Sequence, residues 1–208
     1  MIDQSSTIQA FLDATAARQP TPGGGAVTAL TGALAAAIGE MAVNYSVGRK
    51  GMEAFEAEVR PGLDELKHVR QLLVKMMVED QTAYAELTAA RKLPENDPMR
   101  PERIRTSLAA SIRAPQQMAA AAVKILEVCD RVLNFLNPHL LSDLAVSADL
   151  AMATARCGLY NVRVNLPAVT DPAERQQIEA TSGQLLSRAA ALIQRVAPRI
   201  WERMQQAK

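Results

Sequence analysis

Aromatic side chains are nearly missing from this 208-residue chain, at 3% of its residues. The hydrophobic fraction is nonetheless 49%, so the core has to be built from Ala, Leu, Val, Ile and Met, which let helices sit close together. An excess of one charge is missing as well. With 23 Lys and Arg against 22 Asp and Glu, no global field draws nucleic acid or an anionic membrane, and neither is expected as a partner. Cysteine and histidine are scarce. Cys129 and Cys157 stand alone, without metal-type spacing or a secretory pattern ahead of them, which suits a reducing, cytoplasmic setting and leaves a disulfide open. His68 and His139 have no second ligand at metal spacing, so no metal is expected, and no serine or cysteine has the context of a nucleophile. Segments of alternating polarity bounded by turns are absent too, residues 162–164 being too short to count. These absences leave an all-α reading: one domain over residues 1–208, a bundle of long helices.

What is present is helical period and its punctuation. Ser6, with Gln9 three residues on, reads as a capping box ahead of a first helix carrying Ile8, Phe11, Leu12 and Thr15 on one face. The segment Pro20-Thr21-Pro22-Gly23-Gly24-Gly25 forbids helix, so a glycine-rich loop feeds the N-terminus of an Ala-rich helix. Residues 24–47 match a membrane span in length, but Glu40 and the low Leu, Ile and Phe content read as a buried core helix. A helix is expected over 53–92, with Pro61 as a break or first-turn residue and a stripe of Leu63, Leu66, Val69, Leu73, Met76 and Met77. Residues 93–101 read as a loop, and 102–135 as a helix bent or interrupted near Pro115 and ended by Asn137-Pro138. Ser142 is the expected cap of the next helix, which turns Leu144, Ala148, Ala151, Met152, Ala155 and Leu159 inward and reaches Asn165. Asp171-Pro172 with Glu174 starts the last helix, with a kink expected at Pro198.

Four groups of residues have chemical potential. Continuing the stripe from Met76 and Met77 brings Asp80, then Tyr84 and Leu87, onto the core face. Burying an unpaired carboxylate is costly, so Asp80 is either hydrogen-bonded for structure or kept for function. The glycines of the loop expose backbone N–H groups at a helix N-terminus, which suits an oxygen of a ligand; a tight turn between closely packed helices explains them as well. Ser142, Asp143, Asn161 and Asn165 form a third group, with helix capping as the plain alternative. Gly48-Arg49-Lys50-Gly51 is a small cationic turn that fits a solvated helix end or an acidic ligand tail.

Taken in order, these pieces resemble a known family. Phe11-Leu12, the Pro-Thr-Pro-Gly-Gly-Gly loop, Gly48-Arg49-Lys50, Glu79-Asp80 with Ala83-Tyr84, Leu93-Pro94, Ser142-Asp143-Leu144 and Asn161-Val162-Arg163-Val164-Asn165 are similar to the formiminotransferase-cyclodeaminase C-terminal domain family. That family includes stand-alone bacterial methenyltetrahydrofolate cyclohydrolases. The resemblance implies an all-helical dimer that binds tetrahydrofolate, with the catalytic acid/base role falling on Asp80. It also implies substrate contacts at Pro22, Gly23, Gly24, Gly25, Arg49, Lys50, Tyr84, Asn137, Ser142, Asp143, Asn161 and Asn165. Two segments depart from the family pattern: 45–52, where the family often has more lysines and a tyrosine, and 134–141, which is compressed.

The expected reaction is hydrolysis of the cationic methenyl bridge to formyltetrahydrofolate, with Asp80 taking a proton from water. No cofactor beyond the folate is needed. The alternative is ring closure of formiminotetrahydrofolate with loss of ammonia, an activity often fused to a formiminotransferase. A non-catalytic folate-binding helical dimer is the third reading.

Overall fold

The computed structural model describes residues 2–48, 53 and 56–206. Among them are six α-helices and no strands: α1 (Ile8–Ala16), α2 (Gly24–Asn44), α3 (Glu56–Arg91), α4 (Arg100–Val132), α5 (Leu141–Asn165) and α6 (Pro172–Gln206). Helix α2 packs on α3 and α5, and α4 packs on the same two, so the four close into a bundle; α6 lies along α4 and α5. Every neighbouring pair in the bundle runs antiparallel. Gly39 of α2 faces Leu66 of α3 and Ser147 of α5, whereas Gly32 faces Leu73 and Thr154.

Small residues make this packing possible. Gly25, Gly32 and Gly39 recur every seven residues on the α2 face that meets α3 and α5, and at each a Cβ would fall within 3 Å of a neighbouring side-chain atom. Ser147 uses the space at Gly39 to donate to the Ala35 carbonyl at 2.8 Å, a buried bond between two core helices. The same logic seats Gly158 of α5 on α4, where a Cβ would lie 2.7 Å from the Pro115 carbonyl oxygen. Helix α2 is long and apolar enough to cross a membrane by composition, but 56% of that stretch is buried against the other helices. It is a core helix of the bundle, buried along its Ala and Gly face, while Val27 and Leu34 on the other side are exposed.

Several local expectations are corrected. The first helix is capped by Thr7, not Ser6, with the Thr7 hydroxyl accepting from Ala10 N–H; Ser6 is drawn instead into a turn closed by Asp3. Of its expected face only Phe11 is buried, Ile8 and Leu12 being 81% and 55% exposed. Helix α4 starts at Arg100, inside the segment read as loop, and runs unbroken through Pro115 to Val132. A proline there removes the N–H that would serve the Ser111 carbonyl. The side-chain amide of Asn165 donates to that carbonyl at 3.3 Å, so α5 repairs the defect in α4. Pro61 and Pro198 are likewise inside helices. Ser142 does not cap α5: a 3-10 turn over Pro138–Leu140 precedes it, Asn137 accepts from His139 N–H, and Ser142 is exposed in the first turn. The expected cap Asp171 does accept from Ala173 N–H at the start of α6.

Two glycine substitutions separate packing from propensity. Both Gly158→Ala and Gly183→Ala gain about 1 kcal/mol of helix propensity. Gly183 has nothing within 4 Å of an added Cβ, so its variant should be more stable in urea denaturation. Gly158→Ala should be less stable, because forcing α4 and α5 apart costs about 1–3 kcal/mol.

Candidate active site

The glycine loop and the end of α3 meet at one end of the bundle. The loop includes a cis peptide at Thr21–Pro22, and Pro22 is buried beneath it. Gly23 is the N-cap of α2 and makes no side-chain cap. The first N–H groups of a helix have no partner four residues back and carry the positive end of its dipole. Asp80 uses one of them, accepting from Ala26 N–H. Glycine is required for this approach, since a Cβ on Gly25 would lie 1.9 Å from Asp80 Oδ1. On the other flank, a Cβ on Gly24 would meet Asn161 Oδ1 at 3.2 Å. The α2 N-terminus is thus held between a carboxylate from α3 and an amide from α5.

Electrostatically, Asp80 is a carboxylate short of compensation. It is half-buried, and burial pushes its carboxyl above the ordinary range, only partly opposed by the Ala26 N–H. Ion pairs elsewhere tie Glu65 to Arg131 and Lys124, and Asp130 to Arg195 and Arg199; among the described residues Asp80 has no such cation. A positively charged ligand would supply what the protein withholds.

The remaining expected site residues divide between two places. Tyr84 lies one turn beyond Asp80 but is 46% exposed, so the apolar stripe gives way to a surface there instead of continuing inward. Asn161 donates to the Cys157 carbonyl, leaving its Oδ1 toward Gly24. Asn165 spends its amide on Ser111 and Asn161 carbonyls. At the opposite end of the bundle, Asn137 donates its backbone N–H to Ser46 Oγ at 3.3 Å, beside the turn at Gly48, whose φ of 69° needs glycine. Asp143 and Ser142 are in the first turn of α5 at that same end. Arg49 and Lys50 lie outside the described residues. Because α2 and α5 are antiparallel, the length of α2 separates the two clusters by about 30 Å. A groove of about 790 Å³ between α4 and α6, floored by Leu108, Ile112, Val169 and Ile178, contains none of these residues.

Known proteins share the chain's sequence pattern and its fold. A family model described as formiminotransferase-cyclodeaminase matches residues 7–184. The chain belongs to the formiminotransferase-cyclodeaminase family. Among its relatives, a methenyltetrahydrofolate cyclohydrolase of Methylorubrum extorquens is 29% identical, with 92% of this chain and 94% of that protein covered. A formimidoyltransferase-cyclodeaminase of Rattus norvegicus is 28% identical over 90% of this chain but only 36% of its own length. The crystal structure of a formiminotetrahydrofolate cyclodeaminase from Thermotoga maritima superposes with a TM-score of 0.88 at 26% identity, covering 95% of this chain and 97% of that one. The family's all-helical fold, expected from the motifs, is the fold observed.

The raised Asp80 pKa has a consequence for stability. The folded carboxyl binds its proton more tightly than the unfolded one, so this group withdraws stability as pH rises from the ordinary carboxylate range through the raised value. The side-chain amide introduced by Asp80→Asn does not titrate, and its oxygen can still accept from Ala26 N–H. The melting temperature of Asp80→Asn relative to the parent should therefore increase between about pH 3 and pH 7, read by thermal denaturation; a constant difference across that range would mean that Asp80 is not destabilised by burial.

Proposed function

We propose that this chain hydrolyses methenyltetrahydrofolate to formyltetrahydrofolate in the cytoplasm, with Asp80 as general base. The observation that carries the proposal is the half-buried, cation-free carboxylate against the α2 N-terminus. The methenyl bridge is an amidinium carbon, electrophilic and positively charged. A carboxylate beside it offsets that charge and, as water attacks, takes the proton released when the new C–O bond forms. As the resulting carbinol collapses, its hydroxyl loses a proton and the departing bridge nitrogen takes one up, so one C–N bond breaks, a formyl group stays on the other nitrogen, and the proton taken by Asp80 is the one released to solvent. Binding the cation favours the ionised form of Asp80, so the raised carboxyl is a base once substrate is present. The N–H groups of Gly24 and Gly25 and the Asn161 Oδ1 would orient the folate's polar edge. The reaction as drawn needs no cofactor beyond the folate.

The near full-length match to the Methylorubrum cyclohydrolase supports hydrolysis. The cyclodeaminase name of the Thermotoga structure supports the second reading, in which the folate's amine attacks a formimino carbon and gives up its proton to Asp80, while the formimino nitrogen is protonated and leaves as ammonia.

A homodimer is part of the proposal. Val27 and Leu34 on α2, with Val146, Tyr160 and Val164 on α5, are large apolar side chains left 36–74% exposed on adjacent antiparallel helices. A second copy covering this face about a two-fold axis across the helices would set the Asp80 end of one chain against the Asn137, Ser142 and Asp143 end of the other. One pocket would then unite the clusters that a single chain keeps apart.

Purified protein should accelerate the loss of methenyltetrahydrofolate absorbance over the spontaneous rate, and Asp80→Asn should lower kcat by about a hundredfold or more while folate still binds. If neither this substrate nor ammonia release from formiminotetrahydrofolate is catalysed, the binding-scaffold reading stands. Leu34→Asp should sediment as a monomer with its helix content kept and its turnover lost; an active monomer would remove the shared pocket.

A further inference from the structure

Two consecutive side chains on α3 hold the two ends of one segment. Asp80 accepts from the backbone of Ala26. Gln81, only 1% exposed, accepts from Ile2 N–H at 3.2 Å and donates to the Ile2 carbonyl at 2.8 Å, with a further bond to the Met77 carbonyl at 3.0 Å. The chain between, residues 3–25, leaves α3 at Gln81, forms α1 and the proline-glycine loop, and returns to α3 at Asp80. Its middle is lightly held: Phe11 enters the core, while Ile8 and Leu12 face solvent. A buried amide committed in both directions to a backbone unit 79 residues away is a long-range clasp, and leaving its groups unpaired would be costly.

We propose that Gln81 is a positioning residue for the reaction at Asp80: by pinning Ile2 it closes the strap formed by residues 2–25 and fixes the α2 N-terminus against the Asp80 carboxylate. The inference rests on the folate activity proposed for this site. Its physical content is that strap and carboxylate share one turn of α3, so freeing one end of the strap lets the other end shift relative to Asp80. Small displacements of a catalytic group lower turnover far more than they lower binding.

Gln81→Met keeps the side chain's length and removes its hydrogen bonds; Ile2→Ala withdraws the strap's apolar anchor without touching α3. Both full-length variants are compared with the parent by hydrogen exchange and by steady-state kinetics. The expected result in each is faster exchange in residues 8–16 and at residues 24–26, unchanged exchange in α4 and α6, and a kcat lower by about tenfold with KM within about threefold. Faster exchange in α1 with unchanged kcat would make the clasp structural only and overturn the inference. Unchanged exchange at residues 24–26 would overturn it too, and this readout holds even if the parent proves inactive on both folates, an outcome that strikes the functional proposal alone.

Discussion

The contact between Gly25 and Asp80 sets the terms for the rest of the molecule. Two opposing effects act on that carboxylate: the positive end of α2 and the Ala26 N–H favour its charge, while removal from water disfavours it, and removal wins. The contact exists only because α2 bears glycine where it meets α3, and the same device recurs along the seam at Gly32 and Gly39. A chain with larger side chains on this face would separate the helices and leave the carboxylate in solvent as an ordinary acid. The scarcity of aromatic residues and the helix spacing are therefore one property of the fold, and the site inherits it.

Elsewhere the bundle is held by interactions of a different kind. Asp130 on α4 pairs with Arg195 and Arg199 on α6, Glu65 on α3 pairs with Lys124 and Arg131 on α4, and Arg203 donates to the carbonyls of Leu133 and Leu136 just past the end of α4. The paired side chains lie at the rim of the helix interfaces and keep part of their surface in water, so each pair contributes little to stability, about 0–1 kcal/mol. They define which helix neighbours which. Stability resides in the buried Leu, Val, Met and Ala side chains of the central cluster.

Much of this was legible from local pattern. The start of α2 at the glycine loop, the start of α6 at Asp171-Pro172 and the inward set Leu144, Ala148, Ala151, Met152, Ala155 and Leu159 follow from rules acting within one helical turn, and all are observed. Misreadings arose where a partner distant in sequence decides the outcome. Pro115 signals a break, yet Asn165 from another helix supplies the missing donor, and the same asparagine is thereby largely occupied. Ser142 has the composition of a cap, but Asn137 and the 3-10 turn take that place first. Gln81 carried no signal beyond standing four residues after Met77, because its partner is the backbone of a residue near the other end of the chain. Asp80 was legible as an acid out of place; what it touches was not.

The clasp also gives the two chain ends unequal mechanical standing. Helix α6 runs parallel to α4, so Gln206 finishes at the end of the bundle away from Asp80. Ile2 is bonded to the residue next to Asp80. Polypeptide joined beyond α6, such as an affinity tag, leaves from beside the Leu136 carbonyl that Arg203 holds, next to Asn137, and burdens the cluster that a second copy would bring to the pocket, whereas the same addition ahead of Ile2 pulls on the turn that carries the acid.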